Sequence, residues 1–351
     1  MKLLRLLFSF ILSILIITFI VFIIFLWWNS SPALSKRSNS TIIKLDNKES
    51  PTLNKKFLKV VSYNIHFGIG LNGDTTKVDK KYFEKRLDKI GKVLKDIDAD
   101  IVLLQEVDFH SKRSHFIDQG EYLASKAGYS FVTKASTQRK KIHLFYHNVV
   151  GKIEQGLCIL SKHPIEQSES MVFDYSSQMP FFVKWLYDPH GAQKCIINYQ
   201  NKPITLINIH LEPWDSEARL DQIKTIISFW LNHQSYPTII GGDFNSISRS
   251  AKKTGYYLLD APWFIDKSSF DISKDKTIPT LMNLGFKEAL PSKLSLHHKK
   301  NYTFPANSPL EKLDYIFVGS KARIIKSYIY EEAKTSSDHL PIVATIKINN
   351  N

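Results

Sequence analysis

Polar side chains suited to phosphate chemistry stand at the ends of five predicted strands. Residues i and i+2 of a strand share a face, so polar residues spaced by two lie side by side. Three strand ends carry such a pair: Asn64 with His66, Asn208 with His210, and Asp243 with Asn245. Glu106 ends a fourth strand, and Asp338 and His339 begin the last one. Any one of these residues alone is usually a turn former or a satisfied core histidine, but five strand ends together predict a shared site.

The residue types in this set are those that hydrolyse a phosphate ester. Carboxylate and amide oxygens are ligands for hard cations, so the expected ion is Mg²⁺, with Mn²⁺ or Ca²⁺ as alternatives. Only two cysteines and no HExxH motif occur, which argues against zinc. A hard cation polarises a phosphoryl oxygen, an aspartate orients or deprotonates water, and imidazoles neutralise charge in the transition state.

Short apolar and β-branched runs supply the strands that carry these residues. From Phe57 onward, nine such runs are interrupted by two amphipathic helices, predicted over 80–97 and 216–231. Many strands with few helices predict an α/β or α+β sandwich, in which two sheets pack face to face with helices outside. The sequence has no internal repeat of fixed period and no glycine-rich phosphate loop.

The composition limits the class of protein. The chain has 351 residues, 43% apolar and 23% charged, which excludes a disordered tail, a collagen-like chain and a multi-span membrane protein. Of the net charge of +14, nine basic and two acidic residues place +7 in residues 1–59. The rest is modestly basic, which suits a phosphate-bearing partner without requiring one. Cys158 and Cys195 lie in apolar runs and are expected to be buried and free, with one disulfide as the alternative.

The first segment, residues 1–28, is predicted to be a transmembrane anchor. Leu6–Trp28 is uncharged over 23 residues, enough to cross a hydrocarbon core of about 30 Å, and ends in two tryptophans of the interfacial type. Cleavage as a signal peptide near Ser31–Ser35 is the alternative. A weak charge bias favours a cytoplasmic amino terminus, so we expect a single-pass membrane protein with an extracytoplasmic body. Residues 29–56, rich in Ser, Asn and Lys, are predicted to be a flexible linker, followed by a catalytic domain over 57–351.

Seven motifs, in this order along the chain, resemble the signature blocks of the endonuclease/exonuclease/phosphatase (DNase I-like) superfamily. They are VVSYNIHFG, DIVLLQEV, GLCILSKHPI, INIHLEP followed by Arg219, TIIGGDFNS, TFPANSPLEKLDYIFV and SSDHLPIV. The resemblance covers about residues 57–348. It implies a four-layer α/β sandwich, with two packed mixed sheets flanked by helices and the site at one rim. It also implies a metal-dependent hydrolase acting on phosphoric ester bonds.

The resemblance also implies roles for individual residues. Glu106 would be the principal metal ligand, with Asn64 beside it and Asp338 adding to the metal site. His339 would be the catalytic imidazole that contacts the scissile phosphate, and Asp314 would orient it.

The remaining catalytic positions come from the same resemblance. Asp243 would align the attacking water, and Asn245 would stabilise the transition state. His210 matches a position where DNase-like members and sphingomyelinases keep a histidine and abasic endonucleases keep a tyrosine. Arg219 matches an arginine at the start of a family helix, with a structural role as the alternative.

Departures from subfamily patterns narrow the substrate. GGDFNS and LDYI replace the WxGDxNxR and CDRI segments of the inositol polyphosphate 5-phosphatases, and His210 with an anchor disfavours an abasic-site enzyme. The insert 168–191 is aromatic and is expected to form either a lid or a wedge in a bilayer interface. Its aromatic residues are Phe173, Tyr175, Phe181, Phe182, Trp185 and Tyr187. A second insert, 250–280, indicates no role.

Three functions follow from these observations. The leading one is a membrane-anchored, Mg²⁺-dependent phosphodiesterase, acting by water attack on phospholipid-type, sphingomyelinase-like substrates. A DNase I-like nuclease acting on nucleic acid is nearly balanced with it, and endonuclease, exonuclease and phosphatase action are not separated. A non-catalytic binding module on the same fold is the third. The sequence indicates a membrane contact through the amino-terminal helix, no protein partner, and a monomer.

Overall fold

Two seven-stranded mixed sheets packed face to face form the centre of the molecule, with helices on the outside. The computed structural model describes residues 2–29, 36–46, 55–71, 75, 78–143, 151–184, 187–232, 235–247, 274–290 and 301–349. This architecture confirms the predicted four-layer sandwich. The insert residues 248–273 lie outside the described part of the chain, as do Trp185 and the side chains of Phe181 and Phe182.

The strands are numbered in chain order and given in spatial order. The first sheet consists of Ala322–Ile329 (β13), Ile342–Ile348 (β14), Leu58–Asn64 (β3), Ile101–Asp108 (β4), Gly151–Ser161 (β6), Phe131–His143 (β5) and Thr41–Lys44 (β2). The second consists of Arg37–Asn39 (β1), Ile165–Val172 (β7), Gly191–Tyr199 (β8), Lys202–His210 (β9), Thr238–Asp243 (β10), Asp314–Val318 (β12) and Lys287–Glu288 (β11). Most of these strands are buried on both faces, because each sheet is covered by the other sheet and by helices.

The two amphipathic helices predicted over 80–97 and 216–231 are present. The described helices are Lys2–Asn29 (α1), Lys80–Ile97 (α2), Gln119–Ala127 (α3), Phe181–Lys184 (α4), Ser216–Ile226 (α5) and Thr277–Asn283 (α6). Asp79 caps α2, because its side chain accepts from the backbone N–H of Tyr82 at 2.8 Å. α5 continues as one π-helical turn over Ile227–Leu231. Cys158 and Cys195 are buried and free, as expected.

Strand direction brings the predicted polar residues to one edge. β3 and β4 are parallel in the first sheet, and β9 and β10 are parallel in the second. Asn64 at the end of β3 contacts Asp243 at the end of β10, so all four strands end at the same edge of the sandwich. β12 begins there, since it runs antiparallel to β10 and Asp314 pairs with Asp243. We call this edge the polar rim, and its residues are Asn64, Glu106, His210, Asp243, Asn245, Asp314, Asp338 and His339.

The predicted linker, 29–56, contains two strands. Arg37–Asn39 pairs with β7 at the edge of the second sheet, and Thr41–Lys44 pairs with β5 at the edge of the first. The expectation of a tether without secondary structure therefore does not hold for 37–44. Edge strands bind through backbone N–H and C=O groups, so this pairing needs no apolar periodicity that a sequence could display.

α1 is the one candidate membrane span among the described residues. It has a mean hydropathy of 3.1 over its most apolar window and is long enough to cross a bilayer. Length and apolar composition are the properties on which the anchor was predicted, and the residues of that window are not buried by the rest of the protein.

Arg219 in α5 has a structural position. Its guanidinium is fully buried, contacts Asp275 Oδ2 at 2.8 and 3.2 Å, and donates to the carbonyls of Glu212 and Pro213. Burial favours the neutral form of Asp275, but Arg219 and hydrogen bonding from Thr277 together outweigh it and lower the pKa of that carboxyl. The described end of the second insert, which includes Asp275, thus anchors α5.

Arg219→Ala is expected to lower the free energy of unfolding by about 3–5 kcal/mol, because it leaves the Asp275 carboxylate buried and unpaired. Chemical denaturation of the full chain in detergent, followed by circular dichroism, measures this change. Lys224→Ala on the same helix is the control, since its pair with Asp221 is exposed and is worth less than about 1 kcal/mol. Equal stability of the two variants would contradict the structural role.

Candidate active site

Asn64 joins the two sheets at the polar rim. Its Nδ2 donates to Glu106 Oε1 at 2.9 Å in the first sheet and to Asp243 Oδ2 at 3.0 Å in the second. Its Oδ1 accepts from the backbone N–H of His66 at 3.0 Å, and its carbonyl accepts from Ser337 Oγ at 2.8 Å. Asn64 is fully buried, so these bonds fix the spacing of two carboxylates from different sheets.

His339 and Asp314 form a buried imidazole–carboxylate pair. His339 Nδ1 donates to Asp314 Oδ2 at 2.8 Å, which leaves Nε2 facing Asp243 Oδ2 at 3.7 Å. The ring of Phe304 packs against the imidazole, with centroids 4.8 Å apart. Burial lowers the pKa of His339, but Asp314 and Asp243 outweigh it and raise the pKa well above its ordinary value. The imidazole is therefore held as a cation with one N–H directed into the rim.

Asp243 lies at the centre of the rim. Its Oδ1 accepts from the backbone N–H of Asn245 at 3.0 Å, and its Oδ2 lies 3.8 Å from His210 Nε2. Burial, with a contribution from Asp314, raises its pKa to about 6, against the opposing effect of His339 and His210. A carboxyl group with a pKa near neutrality is suited to take a proton from water.

The local backbone around Asp243 requires the residues that stand there. Gly242 has φ +152°, and a Cβ at this position would lie 2.0 Å from the carbonyl oxygen of Ile209. Asn245 adopts φ +47°, which asparagine tolerates better than most residues. The Asn245 Nδ2 donates to the carbonyl of Leu211 at 2.9 Å, a bond that uses one of its two N–H groups.

A β-bulge turns Glu106 towards the rim. Leu104 pairs with Cys158 and Val107 with Gly156, so Gln105 and Glu106 together lie opposite one residue of β6. Glu106 has φ +54°, a conformation that costs a non-glycine residue about 1 kcal/mol. Burial raises the pKa of this carboxyl, but His66, His210 and the Asn64 bond outweigh it, so its pKa is lowered and it is ionised.

The comparisons with known proteins agree with this geometry. The profile of the endonuclease/exonuclease/phosphatase family matches residues 61–339, most of the chain. The protein belongs to this family. The seven motifs therefore identified the family correctly, and membership makes the protein a hydrolase of phosphoester bonds. A search of curated proteins found no match.

Solved structures with the same fold cover most of the chain. An endonuclease/exonuclease/phosphatase from Beutenbergia cavernae has 14% identity, covers 84% of this chain and 72% of its own, and gives a TM-score of 0.58. The mannosyl-6-phosphatase Bt3783 of Bacteroides thetaiotaomicron has 15% identity, covers 82% of this chain and 99% of its own, and gives a TM-score of 0.55. ANGEL2, a 2′,3′-cyclic phosphatase in complex with adenosine-2′,3′-vanadate, has 16% identity, covers 89% of this chain and 99% of its own, and gives a TM-score of 0.51. At these identities the similarity shows the fold.

Members of this family are generally dependent on a divalent metal, and the rim has a donor set that fits one. Glu106 is an ionised carboxylate at the opening of the site, with one oxygen bonded to Asn64. Asp338 adds a second carboxylate, with Oδ2 at 3.2 Å from His66 Nδ1 and Oδ1 accepting from Ser337. Oxygen donors of this kind favour hard cations over zinc.

Two further observations bear on the ion. The Asn64 amide directs its nitrogen to the carboxylates, and its oxygen accepts from His66. In this arrangement Asn64 holds Glu106, and its oxygen could bind a metal ion only after the amide had rotated. Asp243, Asp314 and His339 also have ligand atoms that all lie within 4.8 Å of one another. Asp314 Oδ1 is buried and has no hydrogen-bond partner among the described residues.

Three residues next to His210 were not singled out in the sequence as members of the site. The ring of His190 packs edge-on against His210 with centroids 4.6 Å apart, and its Nδ1 lies 3.8 Å from Glu212 Oε2. Tyr187 directs its hydroxyl to Glu212 Oε1 at 3.4 Å and packs on Trp214. Burial raises the pKa of Glu212 to about 7 and, together with His210, lowers that of His190 to about 3. No local sequence pattern indicated these residues, because their position depends on the register that places Gly191 opposite His210.

Other residues singled out in the sequence have structural positions. Asn208 does not share the rim with His210, because it accepts from Gln105 Nε2 at 2.7 Å and donates to the carbonyls of Leu104 and Cys158 between the sheets. The described part of the aromatic insert packs against the protein: Phe173 is buried in the core beneath the second sheet. Tyr187 contacts Glu212. The side chains of Phe181, Phe182 and Trp185 lie outside the described part of the chain, so the lid and the wedge both stay predictions.

Proposed function

We propose that this member of the family is a membrane-anchored, Mg²⁺-dependent phosphodiesterase that hydrolyses its substrate by attack of water, with phospholipid-type substrates favoured. The observation that carries the proposal is the Asn64 bridge, which holds Glu106 and Asp243 beside the His339–Asp314 pair. A candidate metal-binding carboxylate, a candidate base and a candidate imidazolium thus converge at one place on the polar rim.

The ion would be held by Glu106 with support from Asp338, and Asn64 would keep Glu106 in place. A bound Mg²⁺ supplies charge that polarises a phosphoryl oxygen and offsets charge in the transition state. The site offers carboxylate oxygens and no cysteine ligand among its described residues, so Mg²⁺ is the first choice, with Mn²⁺ or Ca²⁺ as alternatives.

The chain's own residues would perform the remaining steps. Asp243 Oδ2 accepts a proton from water, or orients it, at a position that Asn64 and the nearby imidazoles define. The water oxygen bonds to phosphorus, the ester P–O bond breaks, and the leaving oxygen takes a proton from solvent. His339 donates from Nε2 to a phosphoryl oxygen while Asp314 keeps the proton on Nδ1. Asn245, through its second N–H, and His210 would stabilise the charge that develops on the phosphoryl oxygens.

The membrane part of the proposal rests on α1 and on its flanking charges. The helix is long and apolar enough to span a bilayer. The weak charge bias favours a single-pass protein with its catalytic domain on the extracytoplasmic side. The domain itself would extend from residue 36, since β1 and β2 complete the two sheets. We expect a monomer with no protein partner.

Nucleic acid is the second candidate substrate. The modest excess of positive charge in the catalytic domain favours attraction to a polyphosphate backbone. A non-catalytic binding module is disfavoured, because Glu106, Asp243 and His339 are all present and brought together.

A substrate panel tests the choice. The full chain in detergent micelles is incubated with sphingomyelin, phosphatidylcholine, plasmid DNA and RNA in Mg²⁺, and phosphate-ester cleavage is measured for each. We expect lipid cleavage at least about tenfold faster per enzyme than cleavage of either nucleic acid, with Asp243→Ala as the inactive control. Faster cleavage of nucleic acid would select the second candidate, and no cleavage of any substrate would refute a phosphodiesterase.

A further inference from the structure

The last turn of α1 is fixed to the catalytic domain by specific contacts. Asn29 Nδ2 donates to the carbonyl of Ile142 at 2.5 Å, and Asn29 Oδ1 accepts from the N–H of Ile142 at 2.6 Å, in the manner of a strand pair. Asn29 and Leu26 are buried, and the Lys141 ammonium lies 4.0 Å from the ring centroid of Trp28. The rest of α1 is almost wholly exposed, so the helix touches the domain at its end and projects away from it.

The register of the first sheet shows on which side this contact lies. β4 ends at the polar rim, where Asp108 pairs with Gln155 of β6. The β5–β6 hairpin continues four residues further, to the pairing of His143 with Gly151, which extends it roughly 13 Å past that end of β4. Ile142 belongs to this extension. The end of α1 is therefore bound beyond the polar rim and on the same side of the domain.

The path of the following chain agrees. β1 pairs Arg37 with Met171 and Asn39 with Glu169, so it runs away from the rim, where β7 ends. β2 also runs away from the rim, because Thr41 pairs with Lys134 and Lys44 pairs with Phe131, and β5 itself runs towards the rim. The chain thus enters the domain from the rim side and not from the opposite end.

The aromatic insert lies on the same side. It connects Val172 to Gly191, which pair with each other at the rim. Lys140 of the hairpin donates to the carbonyl of Tyr187 at 2.9 Å and to Asp188 Oδ1 at 2.7 Å, so the hairpin and the insert are tied together. The anchor, the hairpin, the insert and the catalytic side chains therefore share one face.

We infer that the polar rim faces the bilayer that α1 crosses, and that the active site opens onto the headgroup layer of that leaflet. The inference rests on the proposed membrane anchor and deepens the proposed function. The fixed orientation presents the site to a lipid phosphoester, whereas a nucleic acid duplex would have to enter between the rim and the membrane. Trp28 and Lys141 at the junction are residue types that favour the interface between headgroups and water.

Two matched labelling sites test the orientation. Ser177 is exposed in the insert at the rim, and Ser320 is exposed in the turn after β12 at the opposite end, roughly 20–25 Å away along the strands. Ser177→Cys and Ser320→Cys are labelled with a fluorophore in the full chain, while Cys158 and Cys195 are buried. The proteins are reconstituted in phosphatidylcholine vesicles that carry a contact quencher on lipid headgroups of both leaflets, so the direction of insertion does not matter.

We expect the label at position 177 to be quenched at least about threefold more than the label at position 320. Equal quenching, or stronger quenching at 320, would overturn the inference. Flotation of the same vesicles reports anchoring, and phosphatidylcholine cleavage reports function. Loss of flotation would refute the anchor. Asymmetric quenching without cleavage of phosphatidylcholine would refute that lipid as the substrate while upholding the orientation.

Asn29→Ala tests the contact that sets the orientation. Removal of both bonds to Ile142 is expected to bring the ratio of quenching at 177 and 320 towards one. The variant protein should still float with the vesicles, because α1 still anchors it. Asn198→Ala is the control, because Asn198 donates to Glu166 near the opposite end of the domain, and its ratio should match that of the parent. An unchanged ratio in Asn29→Ala would overturn the role of this contact.

Discussion

His339→Ala is expected to lower kcat by about a hundredfold or more, with a much smaller effect on KM. The imidazole is held by Asp314 with Nε2 directed into the rim, 3.7 Å from Asp243, so its loss removes charge where the transition state develops it. The measurement is steady-state kinetics on a soluble chromogenic phosphodiester, with the full chain in detergent.

His163→Ala is the matched control for that measurement. His163 is also buried, but its ring packs against Tyr199 with centroids 5.0 Å apart, after β6 at the end of the sheets opposite to the rim. Its replacement should leave kcat nearly unchanged at temperatures where the variant is folded. Similar losses of kcat in the two variants would show that the role given to His339 is wrong.

Removal of divalent metal is expected to abolish turnover, and added Mg²⁺ is expected to restore it. Glu106 and Asp338 supply oxygen ligands, and the single positive charge of the His339 imidazolium does not match that of a divalent ion on the phosphoryl group. Turnover of the chromogenic substrate in excess EDTA, then in a Mg²⁺ series, measures this. Undiminished turnover in EDTA would refute metal dependence.

Glu106→Gln distinguishes an effect on metal binding from an effect on the fold. Glutamine keeps the acceptor for Asn64 Nδ2, so the bridge between the sheets can remain, but it removes the negative charge that binds the cation. We expect the Mg²⁺ concentration for half-maximal activity to rise by at least about tenfold. Glu169→Gln is the control, because Glu169 pairs with Lys194 and Arg37 away from the rim and should leave this concentration unchanged.

Local chain pattern was sufficient for the family, for α1, α2 and α5, and for nine of the fourteen described strands. It did not predict β1, β2, β5, β7 and β11. The periodicity over 80–97 gave a helix that begins after its Asp79 cap, and the apolar runs gave strands, because these patterns depend on neighbours within a few residues. Motif order identified the superfamily. Asp243 and Asn245 do meet, but Asn245 lies after the end of β10 with φ +47°, so a turn and not strand alternation brings them together. The spacing of two residues misled at Asn208, where the side chain found partners in the other sheet.

Long-range register decided the rest. The bonds of Asn64 join residues 42 and 179 positions away, so no local pattern indicates that its amide would face two carboxylates and its oxygen would face His66. The contact of His190 with Glu212 depends likewise on how β8 is paired with β9. Residues 37–44 of the predicted linker form edge strands through backbone hydrogen bonds, and such pairing does not depend on a side-chain pattern.

The sequence by itself therefore determined which residue types were available for phosphoester chemistry and that a helix could cross a membrane. Only the tertiary structure decided that the end of that helix binds at the rim that carries the site. The reason is physical: hydrogen bonds such as those between Asn29 and Ile142, 113 positions apart, form only when the strand register has brought both ends together.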